Sequence, residues 1–177
     1  MKKYELTKET KVLCGITLYR IKALRSIGNI DAGELGGWVE SESNLSQLGD
    51  AWVSGNAQVS GDARVSGNAR VSGNARVYGG ARVRGDARIS GDARIYGNAQ
   101  VSGDARVYGN ARVRGGAWVY ANARVRGNAR VSGDARVRGG AMVYGGVGIY
   151  ANAWVYGDAR VPGDAWGYGN ASPRKEK

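Results

Sequence analysis

The chain lacks several residue types on which many enzymes and secreted proteins depend. Its 177 residues contain no histidine and no phenylalanine, and only one cysteine and two prolines. Without histidine, a common general base and metal ligand is missing, and a single cysteine excludes an intrachain disulfide framework. No apolar run near Met1 resembles a signal peptide, and no stretch is long enough to span a membrane. We therefore expect a cytoplasmic protein that does not engage a membrane.

Lysine is absent from the central part of the chain, although the net charge is +11. Residues 1–50 are neutral, with seven basic and seven acidic side chains. Residues 51–171 contain sixteen arginines, no lysine and seven aspartates, and the tail 172–177 adds two further positive charges. The positive charge therefore belongs mainly to one segment, where arginine alone carries it.

That segment consists of a six-residue repeat of the type Gly-Asp-Ala-Arg-Val-Ser. Val or Ile occupies every sixth position from Val53 to Val161, and Ala stands two residues earlier in every repeat except at Val147. A period of six fits neither a helix nor simple strand alternation. It indicates a solenoid, in which each repeat covers its neighbour. Most of the thirty glycines recur with this period, so they mark turns rather than disorder.

Each repeat predicts one short strand and one corner. In Ala-x-Val the Ala and Val side chains point inward and the flanking residues point outward. Gly followed by Asn, Asp or Gly then turns the chain, because these residues tolerate a positive φ. Three such strands enclose a core, which gives a triangular prism of about seven coils with eighteen residues each.

This pattern resembles the left-handed parallel β-helix of hexapeptide-repeat proteins, and the left-handed winding is what that resemblance implies. The Leu35-Gly-Gly-Trp-Val-Glu-Ser-Glu leader resembles that of a group of such proteins encoded by bacteriophages and prophages. We therefore predict an all-β protein with three parts: an N-terminal cap with irregular first rungs (1–50), the β-helix (51–171) and a basic tail (172–177). The resemblance implies a bacterial host cytoplasm as the setting.

The cap is expected to be rich in β structure. The segment from Val12 to Ile27 predicts a hairpin with Gly15 in its turn, and Val39 and Leu45, six residues apart, predict the first rungs. Cys14 is expected to be a small buried residue. At the other end, Gly167 interrupts a column of Val and Ile, so the winding is expected to end or loosen there.

No catalytic site emerges from the repeats. The enzymes best known on this fold are acyltransferases and carbonic anhydrases that use histidine, and their chemistry cannot be transferred to a chain without it. The acidic residues all share one corner slot with Asn and Gly, which favours a turn role over catalysis. We predict that the protein is not an enzyme and uses no cofactor or metal. The acidic corner residues are Asp62, Asp86, Asp92, Asp104, Asp134, Asp158 and Asp164.

Any functional signal must therefore lie in the outward residues that flank each Val. Two faces carry arginine columns four coils long, which either form a solubilising surface or bind anions. Stacking on neighbouring tyrosines and pairing with corner aspartates are ways to relieve their mutual repulsion. The column on the face of Val53 begins at Trp52. The columns are Arg70, Arg88, Arg106 and Arg124 on one face, and Arg76, Arg94, Arg112 and Arg130 on the next.

The third face differs in its last three coils. There the outward positions hold four aromatic rings with two arginines between them, the residue types that dominate interface hot spots. This set predicts an interface, with self-association and a foreign partner both open, although decoration of a strand by β-prone aromatics is the alternative. Its members are Trp118, Tyr120, Arg136, Arg138, Trp154 and Tyr156.

These observations predict a non-catalytic protein of the phage type that binds a host factor, such as a defence protein or an anionic nucleotide signal. A nucleic-acid-binding accessory protein and a structural virion component are the alternatives. We expect a homo-oligomer, with a host protein, an anionic ligand or nucleic acid as further partners.

Overall fold

The computed structural model describes residues 2–163 and the backbone strand at 166–168. The predicted basic tail 172–177 and Asp164 lie outside the described residues. The first three strands are β1 (Tyr4–Leu13), β2 (Ile16–Ala23) and β3 (Leu35–Val39), followed by a 3-10 turn at Glu42–Asn44. No helix in the described part of the chain is long and apolar enough to cross a membrane.

The repeats supply the remaining strands of the described chain, nearly all of them two residues long. In chain order, β4 to β23 are Trp52–Val53, Gln58–Val59, Arg64–Val65, Arg70–Val71, Arg76–Val77, Arg82–Val83, Arg88–Ile89, Arg94–Ile95, Gln100–Val101, Arg106–Val107, Arg112–Val113, Trp118–Val119, Arg124–Val125, Arg130–Val131, Arg136–Val137, Met142–Val143, Gly148–Tyr150, Trp154–Val155, Arg160–Val161 and Trp166–Tyr168.

These strands form three parallel sheets, which we call faces 1, 2 and 3. Face 1 runs from β4 to β22 in steps of three strands, and face 3 runs from β6 to β21 in the same way. Face 2 runs from β3 through β5 to β23, and the hairpin of β1 and β2 extends it at one edge. Each residue pairs with the one eighteen positions further on, as Arg88 does with Arg106. The predicted parallel β-solenoid of about seven coils is therefore confirmed.

The interior of the solenoid is built from the Ala and Val or Ile positions alone. From Ala51 to Val155 these side chains are at most 3% exposed. At face 2 the column continues through Gly167, because β23 still pairs with β20. β23 is also the last strand of the described chain, so the expectation that the winding ends or loosens at Gly167 stays a prediction.

Only one of the two corner residues adopts the left-handed conformation. Wherever the first corner residue is glycine its φ lies between 63° and 82°, as at Gly97 and Gly115, whereas no Asn or Asp of a described corner has a positive φ. The corner amides instead bond to the next coil: Asn68 Nδ2 donates to Asp86 Oδ1 at 3.0 Å. Coils also approach closely here, because a Cβ on Gly97 would lie 3.0 Å from the backbone nitrogen of Gly115.

Ala121 and Ala151 occupy glycine corner positions with φ of 58° and 53°. An L-residue in this region carries strain of about 1–2 kcal/mol, partly offset by the greater unfolded-state entropy of glycine. We expect Ala121→Gly and Ala151→Gly each to raise the free energy of unfolding by about 0.5–1 kcal/mol. Urea denaturation measures the change. Ala123→Gly, at a buried position just before β16, is the matched control and should lower it, and a loss of stability in all three variants would contradict this account.

The cap begins with a hairpin whose turn contains Gly15 as predicted, but its first arm starts at Tyr4, before the predicted start at Val12. β1 and β2 pair antiparallel from Tyr4–Ala23 to Leu13–Ile16, and the turn consists of Cys14 and Gly15 with φ of 50° and 81°. Two positive φ values match the tight turn that suits the twist of a hairpin. Cys14 is exposed, so the expectation that it is buried is wrong: a two-residue hairpin turn projects into solvent.

The predicted first rungs are also present. Val39 pairs with Val59 in a parallel sheet, and Leu45 forms a parallel bridge with Val65; both side chains are fully buried. Trp52, expected on an outward position of face 1, is instead only 1% exposed. The ring of Tyr4 meets it edge-on at 6.5 Å between centroids, because the cap folds over the first coil.

Two cap side chains bond the carbonyls that the first coil presents at its open end. Lys3 Nζ donates to the carbonyls of Ala51 at 2.9 Å and Gly49 at 3.3 Å. Asn44 Nδ2 donates to those of Ala63 and Gly61 at 2.9 and 2.8 Å. Both pairs consist of a corner glycine and the alanine two residues after it. The cap thus replaces the missing coil with side-chain donors, which prevents buried carbonyls from remaining unbonded.

The fully buried Lys3 makes stability depend on pH. Burial, with a smaller contribution from Arg25, lowers the pKa of Lys3 from 10.5 to about 8, although Asp50 opposes the shift. Between pH 8 and 10 the unfolded chain binds a proton at this residue that the folded chain has released, so stability should rise with pH. Burial also raises the pKa of Tyr4 above its usual 10.0, so stability should fall again at higher pH.

Urea unfolding at pH 7, 8, 9 and 10 tests this dependence. We expect the free energy of unfolding of Lys3→Met to be lower at pH 7, because two carbonyls lose their donor. In this variant the free energy of unfolding should no longer show the increase between pH 8 and 10 that Lys3 causes. Lys2→Met, which removes an exposed lysine paired with Glu42, is the control and should keep the rise. Identical pH slopes in the parent chain and Lys3→Met would contradict the assignment.

Candidate functional site

The six predicted interface residues of face 3 lie together in the structure, and we call them the Trp–Arg patch (Trp118, Tyr120, Arg136, Arg138, Trp154 and Tyr156). Trp118 pairs with Arg136, and Arg136 with Trp154, in successive coils. The guanidinium carbon of Arg136 lies 5.3 Å from the ring centroid of Trp118 and 4.9 Å from that of Trp154. One arginine is therefore held between two indoles.

The second column of the patch adds two further contacts. The guanidinium carbon of Arg138 lies 5.7 Å from the Trp154 ring and 5.9 Å from the Tyr156 ring. Tyr120 meets Trp118 edge-on at 6.4 Å. The predicted order of rings, arginines and rings is thus present, and contacts within the patch orient both guanidiniums.

The patch is accessible although its parts are held in place. Trp118, Trp154 and Tyr156 are 39%, 38% and 46% exposed. The cap contains a similar arrangement, in which Lys11 and Arg20 lie over the ring of Trp38 at 4.2 and 5.4 Å. Trp38 is only 8% exposed, so that arrangement seals the cap. The Trp–Arg patch has the same chemistry on an open surface, where it can meet a partner.

The two arginine columns are also in register. On face 1, Arg70 to Arg124 pair coil by coil, and on face 2, Arg76 to Arg130 do the same. Arg70 and Arg76 are partly buried, and the other members are exposed. Among the described residues the ion pairs lie only in the cap. The corner aspartates therefore form no ion pairs with these columns, contrary to one of the two ways suggested for relieving the repulsion. The reason is that the aspartates project at the corners, where Asp86 and Asp92 accept hydrogen bonds from asparagines of the preceding coil.

Each arginine column borders a shallow trough that runs beside the column of residues after Val. The trough of face 1 has a volume of about 270 Å³ and is lined by Arg88, Arg106, Arg124, Ser90 and Tyr108. The trough of face 2 has about 100 Å³ and is lined by Tyr96, Arg112, Arg114, Arg130 and Val131. Three guanidiniums therefore converge on each trough.

Three tyrosines beside these columns belong to contacts that the sequence reasoning did not single out. Tyr78 and Tyr96 stack with centroids 4.9 Å apart and an interplanar angle of 3°. Burial and the neighbouring Tyr96 raise the pKa of Tyr78. Arg126 lies over the ring of Tyr144 at 4.8 Å. The signal was available, because both pairs are eighteen residues apart, the distance that places two outward residues side by side.

These features define a parallel β-solenoid of hexapeptide repeats with exposed arginine and aromatic columns. The repeats are similar to the YdcK beta solenoid repeat family, whose model matches residues 57–70, 69–85, 87–103, 99–115, 105–121 and 129–145. All six stretches lie within the solenoid, and the cap is outside them. No curated protein matches the chain.

In-register stacking makes the arginine columns repel. Two unit charges one coil apart, about 4.8 Å, repel by about 0.9 kcal/mol even in water. Arg106 has an arginine on both sides, so we expect Arg106→Gln to raise the free energy of unfolding by about 1 kcal/mol at low salt. The gain should vanish near 1 M salt. Arg160→Gln, beside Met142, is the control and should have a smaller effect, and equal effects in urea denaturation would contradict the repulsion.

Proposed function

We propose that the protein is a non-catalytic binding protein and that the Trp–Arg patch is its interface with an acidic surface of another protein. The observation that carries the proposal is the position of Arg136 between Trp118 and Trp154. A guanidinium with a ring on each side retains N–H donors, because the rings offer them no oxygen acceptor. Those donors can bind a carboxylate in the bidentate manner typical of arginine.

The rigidity of the patch favours binding. A free arginine side chain loses rotamer freedom when it binds, at a cost of about 0.5–1.5 kcal/mol. The rings on either side of Arg136 already restrict its rotamers in the free protein, so less rotamer entropy is lost when a partner binds. The exposed indoles then supply apolar contact area around the charged centre, which is the composition of an interface hot spot.

The charge of the solenoid favours a foreign partner over a second copy of this chain. If two copies met through the same patch, Arg136 and Arg138 would face arginines of the other copy. The repeat region carries sixteen arginines against seven aspartates, so its net charge would oppose such a contact. An acidic partner would instead be attracted by this charge, because complementary charge speeds association and disfavours other proteins. The expected homo-oligomer remains a prediction that a mass measurement can test.

The likeness of the leader to phage-encoded proteins supports a bacterial host factor as this partner. A host defence protein fits that setting. The nucleic-acid alternative is less well supported by the patch, because Arg136 occupies the inner ring faces on which bases would stack. A virion component would have to be present in purified particles.

The double substitution Trp118→Ala with Trp154→Ala tests the interface. Both rings point outward, so the variant should keep the fold and its circular dichroism spectrum. We expect immobilised parent chain to retain an acidic protein from a nuclease-treated bacterial lysate, and the variant to lose it at least tenfold, as hot-spot truncations do. The control is Tyr108→Ala with Tyr144→Ala, which removes two rings from face 1 and should keep the partner.

Three results would contradict the proposal. The same proteins retained by the parent chain and the Trp variant would show that the patch is not the interface. A mass in light scattering that falls to one chain in the variant would identify a second copy as the occupant. Retention of DNA that falls steeply with salt and depends on both tryptophans would favour the nucleic-acid alternative.

A further inference from the structure

The trough of face 1 lies apart from the Trp–Arg patch and combines two features that point to one ligand. Its first feature is a row of three guanidiniums from Arg88, Arg106 and Arg124. These residues stand in successive coils, about 4.8 Å apart. In the described part of the chain none of them has an acidic partner within salt-bridge distance. The row therefore lacks a counter-charge that an anion would supply.

A phosphate group fits this row better than a carboxylate. Arginine binds phosphate oxygens through two parallel N–H donors, and a terminal phosphate or a short phosphate chain offers several oxygens and more than one charge. Three neighbouring arginines can share such a group. Ser90, which also lines the trough, adds a hydroxyl donor in the coil of Arg88, at the first position of the row.

The second feature of the trough is an aromatic ring without a stacking partner. Tyr108 lines the trough one coil after Ser90, whose side chain is too short to cover the ring. The residue one coil beyond Tyr108 is Arg126, and its guanidinium lies over the next ring, Tyr144, at 4.8 Å. No aromatic or cation–π contact of Tyr108 occurs among the described residues, whereas Tyr78 and Tyr96 stack on each other at 4.9 Å.

We propose that the face 1 trough binds a nucleotide, either free or as one unit of a single strand. Its phosphate lies between Arg88, Arg106 and Arg124, and its base stacks on Tyr108. A positive groove beside an aromatic platform is the combination by which proteins hold unpaired nucleotides. The volume of about 270 Å³ is larger than that of the face 2 trough, which is why we assign the site to face 1.

Fluorescence anisotropy with fluorescein-labelled ADP at 50 mM salt tests the site. We expect saturable binding that Tyr108→Leu weakens about tenfold through the loss of stacking. Arg106→Ala should weaken binding by a similar factor or more, because a charged hydrogen bond is lost, and Arg106→Lys should recover part of it. The matched control is Tyr144→Leu, which removes a ring from the same column where Arg126 already covers it, and which should bind like the parent chain.

Competition distinguishes the two forms of the ligand. A labelled strand of ten thymidines that binds at least ten times more tightly than ADP, with a steep salt dependence, identifies a single strand; equal affinities identify a free nucleotide. Either result keeps the assignment if Tyr108→Leu weakens binding. Circular dichroism confirms that each variant folds, and Trp118→Ala with Trp154→Ala should leave ADP binding unchanged, which separates this site from the Trp–Arg patch.

Two outcomes would overturn the assignment. One is the absence of saturable ADP binding to the folded parent chain. The other is equal affinity of Tyr108→Leu and Tyr144→Leu together with full competition by pyrophosphate, which would show a surface that attracts anions without contacting a base.

Discussion

The backbone hydrogen bonds between successive coils are the constraint on which the rest of this molecule depends. An outward residue of each strand donates its N–H to the carbonyl seventeen residues further on, as Arg70 does to Ala87 and Arg88 to Ala105. Because these bonds are short and identical from coil to coil, every residue is stacked on its counterpart eighteen positions away. Core columns, corner glycines and arginine columns all follow from this register. So does the cap, which must supply donors such as Lys3 and Asn44 where the preceding coil is missing.

The same register explains why the surface carries costs that the core does not. Stacking of identical residues is favourable for Val and Ala, which fill a column without voids, and for Asn68 and Asp86, which hydrogen-bond across coils. For arginine it brings like charges together. The structure moderates the repulsion where a ring intervenes: Arg136 lies between two indoles and Arg126 over Tyr144. In the columns without an intervening ring, no guanidinium of the described chain has a carboxylate partner, although Arg70 Nη2 donates to the carbonyl of Ile27 at 3.5 Å.

Much of this could be predicted because periodicity converts sequence into position. Val53 and its successors fix the core, and Trp118, Arg136 and Trp154 share a column simply because eighteen residues separate them. The left-handed sense of the winding remains a prediction from resemblance. The side-chain contacts of the cap could not be predicted, because they are not periodic. The burial of Trp52 depends on where Tyr4 falls, and the bonds of Lys3 join residues more than forty positions apart. The sequence also did not show that only the first residue of each corner has a positive φ. Glycine, asparagine and aspartate all tolerate a positive φ, so residue type alone does not tell which of the two corner residues adopts it.

The eighteen-residue register has a consequence for how such a chain can change in length. Duplication or loss of eighteen residues would add or remove one whole turn and leave every downstream side chain on its original side. A change of six residues would preserve the core equally well, because each repeat supplies the same inward pair. It would, however, rotate everything beyond that point by one side of the triangle, so the two tryptophans would no longer share a side with Arg64 and Arg82. Gene rearrangements of this kind can thus recombine whole surfaces while the interior stays the same.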